Sequence, residues 1–282
     1  MSTCFSKGGL ELARLLVERG ADVNAVGKEG GLESTPLWWA ARAVKKGYGS
    51  DGVELARLLV ERGADVNAVG RIHGHECTPL WWAARAVIMT NGSKGVELAR
   101  LLMERGAEVN VVGKEDGRES TPLWWAACAV QERYGDGSDG VELARFLVER
   151  GADVNAVGKD GGLESTPLWW ASFAVSHGDG NDGVELARLL VERGADVNAF
   201  GKTSGYEGTP LWLAALAASQ RNGSKGVELA RLLVERGADV NAVGKSPDLQ
   251  DSTTLLSIAE SAMKSGSPDL ANVLGFQGNA RK

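Results

Sequence analysis

The stretch Val53-Glu54-Leu55-Ala56-Arg57-Leu58-Leu59-Val60-Glu61-Arg62-Gly63-Ala64-Asp65-Val66-Asn67-Ala68 returns almost unchanged along the whole sequence. Its glycine stands at Gly20, Gly63, Gly106, Gly151, Gly194 and Gly237, in steps of 43, 43, 45, 43 and 43 residues. Between these copies a second segment, Thr-Pro-Leu-Trp, begins at Thr35, Thr78, Thr121, Thr166 and Thr209. A worn copy runs Thr254-Leu255-Leu256-Ser257-Ile258-Ala259. Self-similarity at a fixed period is the signature of a repeat array and is read before any other feature.

Both segments read as helices. Leu55, Leu58 and Leu59 fall at i, i+3 and i+4 and make one apolar stripe. Glu54, Arg57 and Glu61 lie off it, with Arg57 and Glu61 placed as an i, i+4 ion pair. Asp51 and Glu54 have capping-box spacing, which predicts a helix start there. Gly63 suits the left-handed position just past the helix end. In the second segment Thr35 is a natural N-cap and Pro36 fits the first helical position, where its missing N–H is not needed. Leu37, Ala40, Ala41 and Val44 then form the apolar face, whose alanines let a neighbouring helix approach closely. Stretches such as Lys28-Glu29-Gly30-Gly31-Leu32-Glu33-Ser34 read as turns or a short hairpin. One helix pair cannot bury its stripe alone, so the stacked array is the cooperative unit. The expected fold is all-α, a solenoid of stacked helix-turn-helix repeats with projecting hairpin loops.

Composition agrees with a soluble protein and excludes several classes. Of 282 residues, 43% are hydrophobic, an ordinary value for a globular chain. With 37 acidic and 31 basic residues the net charge is -6. A pI near 5.3 argues against binding nucleic acid or an anionic membrane, which call for basic stripes. Cys4, Cys77 and Cys128 are too few and too scattered for a disulfide framework and fit a reducing compartment. The opening Met1-Ser2-Thr3-Cys4-Phe5-Ser6-Lys7-Gly8-Gly9 lacks the apolar run of a secretory signal, and no run reaches membrane-spanning length. The expected location is cytoplasmic, or the host cytosol if the chain is a delivered effector.

The residues at this point resemble the ankyrin repeat family. Thr-Pro-Leu-x-x-Ala-Ala, a Leu-Leu helix and Gly-Ala-Asp-Val-Asn-Ala are that family's pattern, and here they cover roughly residues 8–275 in about six copies. The resemblance implies antiparallel helix pairs, a hairpin-like finger from each repeat and a concave face that binds protein. Three departures stand out. The family period is about 33 residues, so about three extra residues fall in each finger and about seven between Ala41 and Glu54, predicting longer fingers and a longer inner helix or helix–helix loop. Tryptophan replaces the family's histidine after Thr-Pro-Leu, at Trp38, Trp81, Trp124, Trp169 and Trp212. The family's histidine network cannot form, and the spacing between repeats is expected to change. A second tryptophan follows at Trp39, Trp82, Trp125 and Trp170, with Leu213 in the fifth copy. One member of each pair is expected to wedge between repeats, and the other is the candidate lining of a groove.

The expected organisation is a single domain over 1–282, with an N-terminal cap segment (1–9), a C-terminal capping repeat (253–276) and a flexible tail (277–282). The first helix, Leu10 to Arg19, has only Cys4 and Phe5 to cover its open edge. That edge is a candidate for self-association. The last copy carries Ser257, Glu260 and Lys264 and ends in a worn helix near Leu270 to Leu274, as a capping repeat should.

Differences between copies locate the candidate site. After the Ala-Ala pair one position reads Arg42, Arg85, Cys128, Phe173 and Leu216. In the fingers another reads Leu32, His75, Arg118, Leu163, Tyr206 and Leu249. The matching positions in ankyrin repeats face the concave surface. Arginine early and apolar residues late predict a partner that is acidic near Arg42 and Arg85 and apolar near Phe173 and Tyr206. Drift on a solvated face leaves the same pattern. The finger rows Lys28, Arg71, Lys114, Lys159, Lys202, Lys245 and Glu33, Glu76, Glu119, Glu164, Glu207 are expected to pair within or between fingers.

Chemistry for catalysis is thin. His73-Gly74-His75-Glu76-Cys77 offers N, O and S donors in one finger, but no second ligand pair completes a zinc site, and no metal or cofactor is expected. Gly47-Tyr48-Gly49 is no phosphate loop, and no Ser/His/Asp or Cys/His set stands out. The expected function is non-enzymatic: a scaffold for a protein or peptide partner, as a monomer or weak homo-oligomer. Near-identical copies fit recent duplication and a fast-changing interaction, such as a host–pathogen or defence contact. The alternatives are small-ligand binding in a tryptophan-lined groove, or a homo-oligomeric element docking by the N-terminal edge.

Overall fold

Each Thr-Pro starts a helix as its chemistry requires. Thr35 sits in extended backbone (φ -90°, ψ 162°) and its hydroxyl accepts from the Trp38 N–H, with Pro36 in the first turn. The inner helices are α2 (Pro36–Lys45), α4 (Pro79–Val87), α6 (Pro122–Ala129), α8 (Pro167–His177) and α10 (Pro210–Ala218). The outer helices are α1 (Lys7–Glu18), α3 (Gly49–Glu61), α5 (Gly92–Glu104), α7 (Ser138–Glu149), α9 (Asn181–Glu192) and α11 (Gly223–Glu235), and α12 (Leu255–Lys264) and α13 (Asp269–Val273) close the order. The computed structural model describes residues 7–29, 31–89, 92–131, 137–178, 180–203, 205–220, 223–247, 249, 253–264 and 268–276. Cys4, Phe5 and the 277–282 tail lie outside these.

The chain divides into two compact units, Met1–Ala129 with Glu142–Asp153, and Val130–Val141 with Val154–Lys282. In the first, α2, α4 and α6 stand side by side in one layer and α1, α3 and α5 in the other. In the second, α8, α10 and α12 form the inner layer and α9, α11 and α13 the outer. The fold is the expected helical stack.

The fingers are β-hairpins. In the first unit β1 (Gly27–Glu29), β2 (Leu32–Ser34), β3 (Gly70–Ile72), β4 (His75–Cys77), β5 (Gly113–Glu115) and β6 (Arg118–Ser120) pair antiparallel in that order, successive fingers joining through Glu33 opposite Arg71 and Glu76 opposite Lys114. In the second, β7 (Gly158–Asp160) pairs β8 (Leu163–Ser165), β9 (Gly201–Thr203) pairs β10 (Tyr206–Gly208), and β11 (Val243–Gly244) pairs β12 (Thr253–Thr254). The tips carry left-handed residues in sequence, His73 (φ 45°) with Gly74 (φ 83°) and Asp116 (φ 50°) with Gly117 (φ 78°), as a tight type I′ hairpin turn requires.

The longer period is absorbed mostly in helix. α2 runs on to Lys45, and α3 begins at Gly49, ahead of the start that the Asp51 and Glu54 spacing predicted; its N-cap residue Tyr48 makes no side-chain capping bond. Glycines therefore lie within the first turns of the outer helices. A Cβ on Gly52 would stand 2.8 Å from Val44 Cγ2 and 2.9 Å from the Ala40 carbonyl, and Gly95 and Gly183 meet α4 and α8 in the same way. The helical cost of glycine, about 1 kcal/mol, is offset by this close contact. Outer helices end as expected: Gly63 is left-handed (φ 85°) and the Ala64 N–H reaches the Leu59 carbonyl at 3.0 Å, a Schellman ending.

Three ladders tie copy to copy. At the loop end, Asn67 Nδ2 donates to the Gly106 carbonyl at 3.1 Å while its Oδ1 accepts from the Glu108 N–H at 2.8 Å. Asn24 and Asn110 in the first unit, and Asn155 and Asn198 in the second, repeat the pattern. On the outer helices Arg57 reaches Glu97 of the next copy at 3.2 Å instead of Glu61, and Arg100 reaches Glu142 at 2.7 Å. These exposed pairs contribute about 0–1 kcal/mol each. The third ladder corrects the expectation drawn from the missing histidine. Indole N–H groups donate across the repeat: Trp38 to the Cys77 carbonyl at 2.9 Å, Trp81 to Ser120 at 3.0 Å, Trp169 to Gly208 at 3.0 Å and Trp212 to Thr253 at 3.0 Å. Tryptophan restores an inter-repeat bond by supplying its own donor. The ring leaves no room for a side chain on the finger: a Cβ at Gly113 would lie 2.5 Å from Trp81, and Gly70, Gly201 and Gly244 face Trp38, Trp169 and Trp212 as closely.

Two outcomes are expected in urea denaturation. Gly113→Ala lowers stability by about 1–3 kcal/mol through overpacking against the indole. Trp81→Phe costs about 2 kcal/mol or more, because the Ser120 carbonyl loses its donor and the ring shrinks.

Candidate functional site

The two variable rows meet where the finger sheet crosses the C-terminal halves of the inner helices. Glu115, on β5, accepts from Lys45 Nζ of α2 at 3.2 Å and from Arg85 Nε of α4 at 2.8 Å. Strand alternation explains the placement, since residues two apart share a face. Glu115 and its cross-strand partner Arg118 face the helices, whereas Lys114 and Glu119 face outward and pair at 3.0 Å.

This layer corrects the expected open face. Arg85, Cys128, Phe173 and Leu216 are buried, and Arg42 alone in its row is half-buried. Arg85 meets Glu115 of the finger in the first unit and Phe173 meets Tyr206 in the second, so this variation is absorbed inside each unit. Arg85 is committed to Glu115. Within the finger row Leu32, His75, Arg118, Tyr206 and Leu249 are half-buried, and the Leu163 side chain lies outside the described residues.

The second tryptophans are also displaced from the expected groove. Trp82 and Trp125 are buried, while Trp39 and Trp170 remain half-buried. Trp82 lies edge-on to Trp38 of the preceding copy at 5.5 Å and Trp125 edge-on to Trp81 at 5.7 Å. Both members of the pair therefore fill the seam between repeats. The N–H groups of Trp82 and Trp125 are shut in with no acceptor, so ring packing holds them.

Cations sit on these rings in the first unit. The Arg42 guanidinium lies 5.3 Å from the Trp39 ring and 5.7 Å from Trp82, and the Arg85 guanidinium 3.9 Å from Trp125. Such contacts are worth more when desolvated, up to about 2 kcal/mol. In the second unit the lining is aromatic instead. Phe173 stacks on Trp169 at 5.2 Å and on His177 at 3.9 Å, and Tyr206 stands edge-on to Phe173 at 5.2 Å and to His177 at 4.7 Å.

Burial alone would raise the Glu115 carboxyl, but the charges and hydrogen bonds of Arg85 and Lys45 outweigh it and hold it below the usual carboxylate range. Lys45 moves down as well: burial outweighs Glu115, and Arg85 beside it adds repulsion. The two partners thus pull in opposite senses. The gain rests on the carboxylate, which two cations share, and the cost falls on the lysine. Burial likewise lowers Arg42 and pushes the Cys77 thiol up.

The His73–Cys77 cluster is not assembled as a ligand set. His73 forms the tip, Glu76 pairs outward with Arg71 at 2.8 Å, and Cys77 is buried. His75, Glu115 and Asp116 do come within 4.8 Å of one another. Glu115 is already engaged by two cationic groups, which would repel a metal ion. Glu115 and Lys45 were missed in the sequence. The readable signal was the finger row Glu29, Ile72, Glu115, Asp160, Thr203, Ser246, which varies between copies and alternates with the outward lysine row.

The comparisons with known proteins bear on the fold and the family. The family model described as Ankyrin repeats (3 copies) matches residues 1–113 and 43–157, and the model described as Ankyrin repeat matches 164–202 and 207–245. Among solved structures, the human ASB11 ankyrin repeat domain is similar at 23% identity with a TM-score of 0.55, over 98% of this chain and 96% of that one. No curated protein matches the chain.

Glu115→Gln strands Arg85 and Lys45 as buried charges, with an expected loss of about 3–5 kcal/mol. The depressed carboxyl also sets a pH dependence. Its contribution is complete above the ordinary carboxylate range and is lost as pH falls through the lower folded value. Thermal melts of the wild type should therefore fall steeply in acid, and those of Glu115→Gln less so.

Proposed function

The chain belongs to the ankyrin repeat family, and from that premise we propose that it is a non-enzymatic scaffold that binds a protein partner through its finger and inner-helix surface. Ankyrin repeats in general serve protein–protein interaction. The observation that supports a recognition role here is the change of lining on a constant framework. The same Trp-Pro-Gly skeleton carries cations on indoles in the first unit and an aromatic cluster in the second.

The partner-facing groups in this reading are the half-exposed ones: Arg42, Trp39, Leu32, His75 and Arg118 in the first unit, and Trp170 and Tyr206 in the second. Arg85, Cys128, Phe173, Leu216, Trp82 and Trp125 shape that surface from beneath. In the first unit the groups around Arg42 fit an acidic part of a protein or peptide, and in the second those around Tyr206 fit an apolar part. The net charge of -6 disfavours nucleic acid and anionic membrane as partners, and no helix among the described residues is long and apolar enough to cross a membrane. A cytoplasmic setting, or a host cytosol reached by delivery, and a host–pathogen or defence contact fit copies so alike.

Self-docking through the N-terminal edge is a second reading with an observation of its own. Leu12, Leu15 and Leu16 of α1 are exposed, whereas the matching Leu55 and Leu59 of α3 are buried. Light scattering at rising concentration reads it, and a strict monomer removes it.

The main reading is tested by capturing a partner with the full chain and titrating it against Arg42→Glu with Tyr206→Ala. Phe173 is left intact because its loss would open a cavity. An affinity loss of about tenfold or more is expected; unchanged affinity in a folded variant would refute the assignment of this surface.

A further inference from the structure

The run Glu54–Ala68 is nearly constant between copies, and one copy departs from it at three positions. Met103, Glu108 and Val111 stand where the other five copies carry valine, aspartate and alanine. All three line one surface pocket of about 560 Å³ in the first unit. The loop after α5 supplies most of the remaining lining, and Arg150, just past the end of α7, supplies the rest. That volume lies within the range of small-molecule sites, about 300–1,000 Å³.

Packing does not call for these changes, because five copies close the same turn without them. The aspartate they replace has a use in the fold. Asp65 accepts from the Asn67 N–H at 2.9 Å, and Asp22, Asp196 and Asp239 accept from Asn24, Asn198 and Asn241 at the same distance. Glu108, one methylene longer, gives that bond up, and its carboxylate is exposed with no bond to another described residue. The turn keeps its asparagine ladder, with Asn110 donating to the Gly151 carbonyl at 3.0 Å and the Glu108 N–H to Asn67 at 2.8 Å. A charge that is kept while its bond inside the fold is dropped is open to a group from outside.

The cation of the pocket is released as well. Arg62 donates to the Val17 carbonyl of the preceding copy at 3.0 Å, and Arg236 to the Val191 carbonyl at 3.4 Å. Among the described residues Arg150 makes no such bond to the equivalent Met103 and no ion pair with Glu108. The other side chains are mostly apolar: Met103 is buried, and Ala107, Val109 and Val111 are half-buried. Methionine adapts its shape to what packs on it, and valine in place of alanine adds apolar surface. Such a pocket has one carboxylate and one guanidinium to satisfy. A simple anion meets repulsion from Glu108, and a simple cation meets it from Arg150. A molecule carrying both charges on an apolar body satisfies each with a charge-assisted bond.

We propose that this pocket binds an apolar zwitterion, a free apolar amino acid or a short apolar peptide, with its ammonium on Glu108, its carboxylate on Arg150 and its side chains against Met103, Val109 and Val111. The site is built from other residues than the finger and inner-helix surface proposed above and does not depend on that reading.

Isothermal titration calorimetry of the full chain tests this with leucine, leucyl-leucine, and leucyl-leucine blocked at one end, either as the N-acetyl form or as the C-terminal amide. Saturable binding of a free zwitterion is expected, and blocking either end should weaken it by about threefold or more. The tighter of leucine and leucyl-leucine identifies the source. Restoring the residues of the other copies, Met103→Val with Glu108→Asp and Val111→Ala, should weaken binding by about tenfold or more. Melting should hold in that variant, because five copies already fold with those residues. Arg150→Gln should bring the zwitterion down to the affinity of the amide and leave the amide's own affinity unchanged, and Glu108→Gln should act in the same way toward the N-acetyl form. No saturable binding, equal binding of the blocked forms, or unchanged affinity in the restored variant would each overturn the proposal. Arg42→Glu with Tyr206→Ala should leave the zwitterion's affinity unchanged, so this proposal and the inner-face reading fail separately.

Discussion

The bond from an indole N–H to a carbonyl 39 residues later, as from Trp38 to Cys77 and Trp81 to Ser120, is the constraint around which the rest is arranged. It joins the start of one inner helix to the last strand of the next finger. A large ring must lie flat against the finger to make it, so the finger residue it covers has to be glycine. The threonine that ends that strand's turn into helix has to cap, and the proline after it has to be tolerant of a missing N–H. Thr-Pro-Leu-Trp and the finger glycine are thus one physical unit seen at two places in the sequence. Asparagine at the loop end repeats the logic with two bonds per copy. Within each unit they join successive repeats, the indole bonds in buried surroundings and the asparagine bonds at the exposed loop end.

Once the fingers are held down in this way, they cover the inner helices. That is why positions which differ freely between copies are nonetheless buried. Their variation is compensated locally: Arg85 is matched by Glu115 and Trp125 in the first unit, Phe173 by Trp169, His177 and Tyr206 in the second. A desolvated guanidinium needs both a carboxylate and a ring face, and an aromatic side chain needs neighbours of its own kind. The two units have solved the same geometric problem with different chemistry. What reaches solvent is the rim of each solution, together with finger charges that are paired with one another.

Much of this was legible in the residues. The apolar stripe of Leu55 and Leu59, the Thr35 cap and the left-handed Gly63 each follow from local rules, and each stands as read. Finger charges pair as their spacing indicated. Two readings are corrected by the structure: α3 begins ahead of the Asp51 cap, and Trp82 is buried instead of lining a groove. Gly52 lies within that helix where Val44 and Ala40 leave no room for a side chain, and Trp82 packs T-shaped against Trp38 of the preceding copy.

By itself the sequence determined that this protein is a stack of helical hairpins with one finger per copy, because periodicity, caps and turn glycines act within a few residues. It also determined which positions differ between copies. Only the tertiary structure decided which of those positions see solvent, that tryptophan takes over as the donor between repeats, and that Glu115 gathers Lys45 and Arg85. Burial and charge pairing depend on how strands and helices cross in space, and the alternation that aims Glu115 inward has meaning only once the finger is laid across α2 and α4.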